Sequence, residues 1–167
     1  MKLVSFDFDR TLCLTPEPDY GKEIYKNVTG QNWPHRGWWG RPETLDLDIF
    51  SIPLEDFTYN EYVKFHNDED AYLILATGRI TKLRNEVQSI LDYHSLEFDE
   101  IHLNPGMDTF KFKSELFSKL IFKLKPDTFT MYDDRQEHLE KFEIWAKTQP
   151  CQIHIIDIVK KEHKIIN

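Results

Sequence analysis

Cysteine is scarce in this chain: Cys13 and Cys151 are the two present, far apart and outside any C-x-x-C pair or nearby His spacing. That scarcity excludes a disulfide framework and a cysteine-held zinc centre, and it fits a reducing cytoplasm. Long apolar runs are missing too. None approaches the ~20 residues of a membrane span, and Met1-Lys2 leads straight into a β-prone segment instead of a signal peptide's apolar region. A soluble cytoplasmic protein with no membrane partner is the expectation. Positive charge is in deficit, with 21 Lys and Arg against 29 Asp and Glu and a formal net charge of -8. This balance excludes loose electrostatic adhesion to nucleic acid, which needs a basic face to displace counterions. It leaves room for a local basic pocket, and His35, Arg36 and Arg41 lie together in one aromatic-rich stretch.

What the chain does have is enough apolar residue, 40% of 167, for the sizeable core of one domain. The pattern predicts strands at Leu3 to Phe6, Ala71 to Ala76, Phe98 to Leu103, Thr128 to Tyr132 and Cys151 to Val159. Helical spacing falls between them, at Ile80 to Leu91, from about Lys113 to Leu124, and at Gln136 to Lys147. Strands alternating with helices imply an α/β fold, a doubly wound parallel sheet covered on both faces. Residues 12–70 break the rhythm with prolines, tryptophans and acidic residues. We read them as an insertion, or cap, between the first two strands of a single domain spanning 1–167, too long for an ordinary crossover yet able to hold a small core of Tyr62, Val63 and Phe65.

The chemistry gathers where strands end. Asp7-Phe8-Asp9-Arg10-Thr11 closes the first strand with two carboxylates one residue apart, tolerable together when a cation sits between them or one holds a proton. Thr77-Gly78 closes the second strand, and Asp133-Asp134 closes the one through Tyr132. In an open parallel sheet all three fall on the edge where ligands collect. Lys111 and Lys113 open a helix on the same side. If Thr109 to Lys113 is extended, the two lysines share the face opposite Phe110 and Phe112, and alternation does not separate them.

These strings, in this order, resemble the four motifs of the haloacid dehalogenase (HAD) superfamily of phosphohydrolases, across nearly the whole chain. The resemblance implies a HAD-like Rossmannoid fold and a Mg²⁺ cofactor held by Asp7, Asp9, Asp133 and Asp134, with Asp9 meeting the ion through its backbone carbonyl. It implies Asp7 as nucleophile toward a phosphomonoester, Asp9 as general acid and then base, and Thr77 with the Gly78 amide on phosphoryl oxygens. Lys113 is the motif lysine by the helix boundary and the family pattern. Thr11 and Arg10 belong to the substrate-binding set, although residue 10 is Arg where many members carry a small residue.

Two further strings narrow the substrate. Asp133-Asp134-Arg135 with Trp145 on the next helix resembles polynucleotide kinase 3′-phosphatase domains. Thr15-Pro16-Glu17-Pro18 and the segment from Gly37-Trp38-Trp39-Gly40-Arg41 to Leu45 are similar to the Swiss Army Knife RNA-repair-like branch. Trp33, Trp38 and Trp39 are then candidate base-stacking surfaces, or fasteners of the insertion onto the core. His35, Arg36, Arg41 and Arg135 are candidates for a neighbouring phosphate. RNA or DNA 3′-phosphate ends, or nucleotides, are the expected substrates. A small-metabolite phosphatase and a noncatalytic phosphate- or metal-binding module are the alternatives. No Gly-x-x-x-x-Gly-Lys-Ser/Thr loop is present, so an end-repair role calls for a separate kinase or ligase partner.

Overall fold

Along β1 (Lys2–Phe6) and β2 (Ala71–Ile80) the side chains alternate between two buried layers, as period-two strands sandwiched between helices must. Val4, Phe6, Leu73 and Leu75 point into one core, and Leu3, Ile74 and Ala76 into the other. The computed structural model describes residues 1–167. It contains a six-stranded sheet in the order β3-β2-β1-β4-β5-β6, with β3 at Glu100–Asn104, β4 at Thr128–Asp133, β5 at Gln152–Asp157 and β6 at Glu162–Ile166. All pairs are parallel except β5 with β6. The chain winds outward from β1 to β3 and crosses back to β4, so the switch in strand order lies between β1 and β4.

Two helices, α1 (Pro18–Thr29) and α2 (Asp56–His66), and a 3₁₀ turn at Pro42–Leu45 lie between β1 and β2. With α3 (Arg84–Tyr93) they cover the first core. The second core lies under α4 (Thr109–Leu124) and α5 (Gln136–Ala146). Residues 12–70 therefore supply part of one covering layer instead of a separate core: Trp38, Leu45, Phe50, Ile52 and Tyr62 all join the cluster of Val4 and Phe6. Of the expected local trio, Tyr62 is buried and Val63 is exposed. None of the helices is long and apolar enough to cross a membrane.

Several boundaries differ from the sequence reading. Strand β2 continues past Gly78 to Ile80. Helix α4 starts at Thr109, capped by the Asp108 carboxylate accepting from the Lys111 amide at 2.9 Å, so the 109–113 run is helical and not extended. The last expected strand stops at Asp157, whose Oδ1 accepts from the Val159 and Lys160 amides, and the chain doubles back as β6.

The insertion is seated by one close contact. Trp38 donates from its indole nitrogen to the Pro16 carbonyl at 3.1 Å, and its ring occupies the space beside Gly21 of α1. A Cβ on Gly21 would sit 2.1 Å from Trp38 Cη2, deep inside contact distance. Gly21→Ala must push the indole aside. The expected loss is about 1–3 kcal/mol, as for other overpacked cores, read as a lower urea midpoint; an unchanged midpoint would contradict this packing.

Candidate active site

Strand pairing brings the acidic groups together. Phe6 stands in register with Tyr132, and the Asp7 amide donates to the Tyr132 carbonyl at 3.1 Å, so Asp7 and Asp133 leave neighbouring strands at the same level. Carboxylate oxygens of Asp7, Asp133 and Asp134 all lie within 4.8 Å of one another. From α4, Lys113 Nζ reaches Asp7 Oδ1 at 2.8 Å and Asp133 Oδ2 at 2.7 Å, fully buried. Lys111, two positions earlier and on the opposite side of the helix, is exposed and faces Glu115. Helicity separates the two lysines where alternation did not.

One ammonium against three carboxylates leaves a surplus of negative charge. Burial pushes the Asp7 carboxyl up to about 8; Lys113 opposes that shift, and Asp133 and Asp134 reinforce it by repulsion. Asp134 rises to about 6, again chiefly through burial and then through Asp133. For Lys113, burial works against the charged form, but Asp133 and Asp7 outweigh it and hold its pKa above the ordinary lysine value. Thr11 donates to Asp134 Oδ1 at 3.3 Å.

Asp9 turns away from this cluster. Arg10 adopts a left-handed φ of 59°, and the Asp9 carboxylate meets a side chain that the sequence reading passed over, Arg79. Its Nε lies 3.1 Å from Asp9 Oδ1 and 2.9 Å from Oδ2, its Nη2 lies 2.8 Å from Oδ1, and Thr15 Oγ1 donates to Oδ1 at 2.7 Å. Arg79 is 2% exposed. A register shift between Thr77 and Ile80 bulges Gly78 and Arg79 out of the β2–β3 ladder and re-aims the arginine. The available signal was a long cation in a run, Thr77-Gly78-Arg79-Ile80, that keeps strand character beyond the glycine.

Thr77 is wholly buried, and its hydroxyl accepts from the Arg79 amide at 3.1 Å. Gly78 packs closely: a Cβ there would lie 3.1 Å from Thr109 Cγ2. Thr109, also missed from sequence, opens α4 one turn before Lys113 and lines the same cleft. That cleft encloses about 380 Å³ and is bordered by Asp7, Asp9, Arg10, Arg79, Lys113, Asp134 and Arg135, with Trp39 its one hydrophobic wall.

The remaining sequence candidates separate. Trp39 is 40% exposed at the rim, whereas Trp38, at 5%, fits the fastening role. Trp33 donates to the Gly37 carbonyl and packs against Trp38. His35 Nε2 lies 2.9 Å from Glu43 Oε1. Arg36 and Arg41 are exposed, and Arg41 borders a different groove with Ile80 and Lys82. None of Trp38, His35, Arg36 and Arg41 lines the carboxylate cleft.

The model of HAD domain family 1 in Swiss Army Knife RNA repair proteins matches residues 15–166. The chain belongs to this HAD family. Asp7 and Asp9 lie just upstream of the matched residues, and Thr77, Lys113 and Asp133-Asp134 lie within them. Two solved structures share the fold. "Structure of Pnkp1/Rnl/Hen1 complex" aligns with 16% identity and a TM-score of 0.56, covering 93% of this chain and 46% of the other. "Structure of the Pnkp1/Rnl/Hen1 RNA repair complex" aligns with 16% identity and a TM-score of 0.55, covering 94% and 43%. This HAD chain thus spans less than half the length of either. No curated protein matches it.

A carboxyl whose pKa rises on folding adds stability at low pH that is lost as pH climbs through its folded value. For Asp134 the window runs from the ordinary 3.8 to about 6. In chelator at about pH 8, Asp134→Asn should therefore raise the melting temperature, by about 2–4 °C per kcal/mol of repulsion relieved. Saturating Mg²⁺ should stabilise the unaltered chain more than the variant. A variant that melts lower in chelator would contradict the charge surplus.

Proposed function

We propose that the chain is a Mg²⁺-dependent phosphomonoesterase that works through an aspartyl phosphate on nucleic-acid 3′-phosphate ends or nucleotides. The observation that carries this reading is the cluster of buried Asp7 and Asp133 with half-buried Asp134, braced by Lys113. Hard carboxylate oxygens with surplus negative charge suit Mg²⁺, and Asp7, Asp133, Asp134 and the Asp9 carbonyl would hold it. Bound there, the ion would offset the repulsion between a dianionic phosphate and a carboxylate nucleophile.

Asp7 attacks phosphorus, its oxygen–phosphorus bond forming as the ester oxygen–phosphorus bond breaks. Asp9 delivers a proton to the departing alkoxide, then takes one from water as that water attacks the aspartyl phosphate, releasing inorganic phosphate and regenerating Asp7. Lys113 neutralises charge on Asp7 and the transferred group, and Gly78 and Thr109 border the space for phosphoryl oxygens. Thr77 supports that edge from beneath.

The cleft's outer wall favours a polynucleotide end over a small sugar. Trp39 offers a partly exposed ring, and base–aromatic stacking is worth ~1–3 kcal/mol per base. Arg10 and Arg135 flank the mouth, suited to the phosphate of an adjoining nucleotide. Residues 12–70 act in this reading as a cap subregion of one domain spanning 1–167. Membership of a family named for RNA repair proteins, and the fold shared with Pnkp1/Rnl/Hen1 complexes, support a place beside separate kinase and ligase partners.

The deciding experiment compares phosphate release from matched 3′-phosphate and 5′-phosphate oligonucleotides, mononucleotides and sugar phosphates, with and without Mg²⁺. We expect Mg²⁺-dependent release favouring the 3′-phosphate oligonucleotide, and a loss of more than about 10³-fold in Asp7→Asn with the fold intact. Preference for sugar phosphates would overturn the repair reading, and full activity in Asp7→Asn would remove Asp7 as nucleophile.

A further inference from the structure

We infer that Arg79 is a positioning residue that selects which oxygen of Asp9 handles the proton, and that the insertion segment from Trp39 to Thr44 holds Arg79 in place for that task. The inference rests on the phosphatase reading for its chemistry and on the contacts of Arg79 for its geometry.

A carboxylate offers about two acceptor sites on each oxygen. At Asp9 they are filled unequally. Oδ1 meets Thr15 Oγ1, Arg79 Nη2 and, at the longer distance, Arg79 Nε. Oδ2 meets Arg79 Nε alone. Oδ2 therefore keeps a vacant site, and Asp9 borders the cleft. The fork of the guanidinium fixes the plane of the carboxylate, a two-point constraint that a lysine's single ammonium cannot impose. Oδ2 is thus the atom that passes a proton to the leaving alkoxide and receives one from water.

The other arm of the same guanidinium belongs to the insertion. Arg79 Nη1 donates to the Trp39 carbonyl at 2.6 Å and to Thr44 Oγ1 at 2.7 Å. The Trp39 ring lies over the guanidinium, 5.0 Å from its carbon, while part of that ring stays exposed at the rim. Thr44 is wholly buried and donates its own proton to the Arg41 carbonyl, so its oxygen is turned toward Arg79 as an acceptor. One buried cation joins the residue that moves the proton to the segment carrying the proposed base platform. By reciprocity, a change at either end of such a link is felt at the other.

Two leaving groups separate positioning from mere support. An alkoxide needs a proton as it departs, and p-nitrophenolate does not. In the first turnover, before water attacks the aspartyl phosphate, Arg79→Lys should lose about 100-fold on a 3′-phosphate oligonucleotide, within the usual worth of a general acid. On p-nitrophenyl phosphate it should lose less than about 5-fold, with KM near that of the unaltered chain for both. Thr44→Val should show the same selectivity at a smaller loss of about 3–10-fold, and Thr44→Ser, which keeps the hydroxyl, should restore activity. Equal losses on the two substrates, or none, would overturn the inference. A second readout needs no turnover. Asp9→Asn should speed hydrogen exchange at the Arg41, Thr44 and Asp46 amides, which close the hydrogen bonds of the insertion segment, and leave α3 unchanged. Unchanged exchange in 41–46 would break the link even if the phosphatase reading stands; faster exchange in a chain inactive on every phosphoester would sustain the link while that reading fell.

Discussion

Three carboxylates, two buried and one half-buried, share one corner of this protein with a single ammonium, and the placement of the surrounding strands and helix follows from that arrangement. Lys113 spans Asp7 and Asp133 with contacts of 2.8 and 2.7 Å and has almost no contact with water. A buried charge robbed of its partner costs about 3–5 kcal/mol, so neither side of the pair stands without the other. The backbone supplies the precision. Parallel pairing of β1 and β4 sets Asp7 level with Asp133, and the second turn of α4 delivers Lys113 between them. Burial first, and the neighbouring carboxylates after it, make Asp7 and Asp134 hold their protons more tightly than ordinary aspartates, and because one lysine does not balance three acids the corner suits a divalent cation.

The insertion solves two problems with one set of residues. It covers a face of the sheet that would otherwise be open, through Trp38, Leu45, Phe50 and Tyr62. It also reaches the edge of the carboxylate cleft, because Trp39 and Thr44 dock on the guanidinium that holds Asp9. Adjacent tryptophans divide these duties. The ring of Trp38 is spent on packing beside Gly21, and the ring of Trp39 stays at the cleft's edge over Arg79.

Much of this was legible in the amino-acid order, for a physical reason. Asp7 and Asp133-Asp134 follow apolar strands directly, and a parallel sheet puts strand ends on one edge whatever the loops do. Other features depend on contacts distant in sequence. Alternation treats Lys111 and Lys113 alike, and only the Asp108 cap, which makes the run helical, sends one outward and the other in. The bulge that turns Arg79 toward Asp9 hides behind a Thr-Gly pair that looks like a strand's end. A Trp-Trp pair does not say which ring is buried, because Gly21, the residue that makes room for Trp38, lies far back in the chain, in α1. Strand β6 is almost entirely exposed, so no apolar period marked it.

The central claim is that Asp7 carries the phosphoryl group between substrate and water. Acid quenching during Mg²⁺-supported turnover, followed by tryptic mapping, reads this directly. The account predicts a phosphoryl adduct on the peptide Leu3–Arg10, located on Asp7 and lost on incubation with hydroxylamine. Steady turnover with that peptide unmodified, or an adduct on another residue, would contradict it.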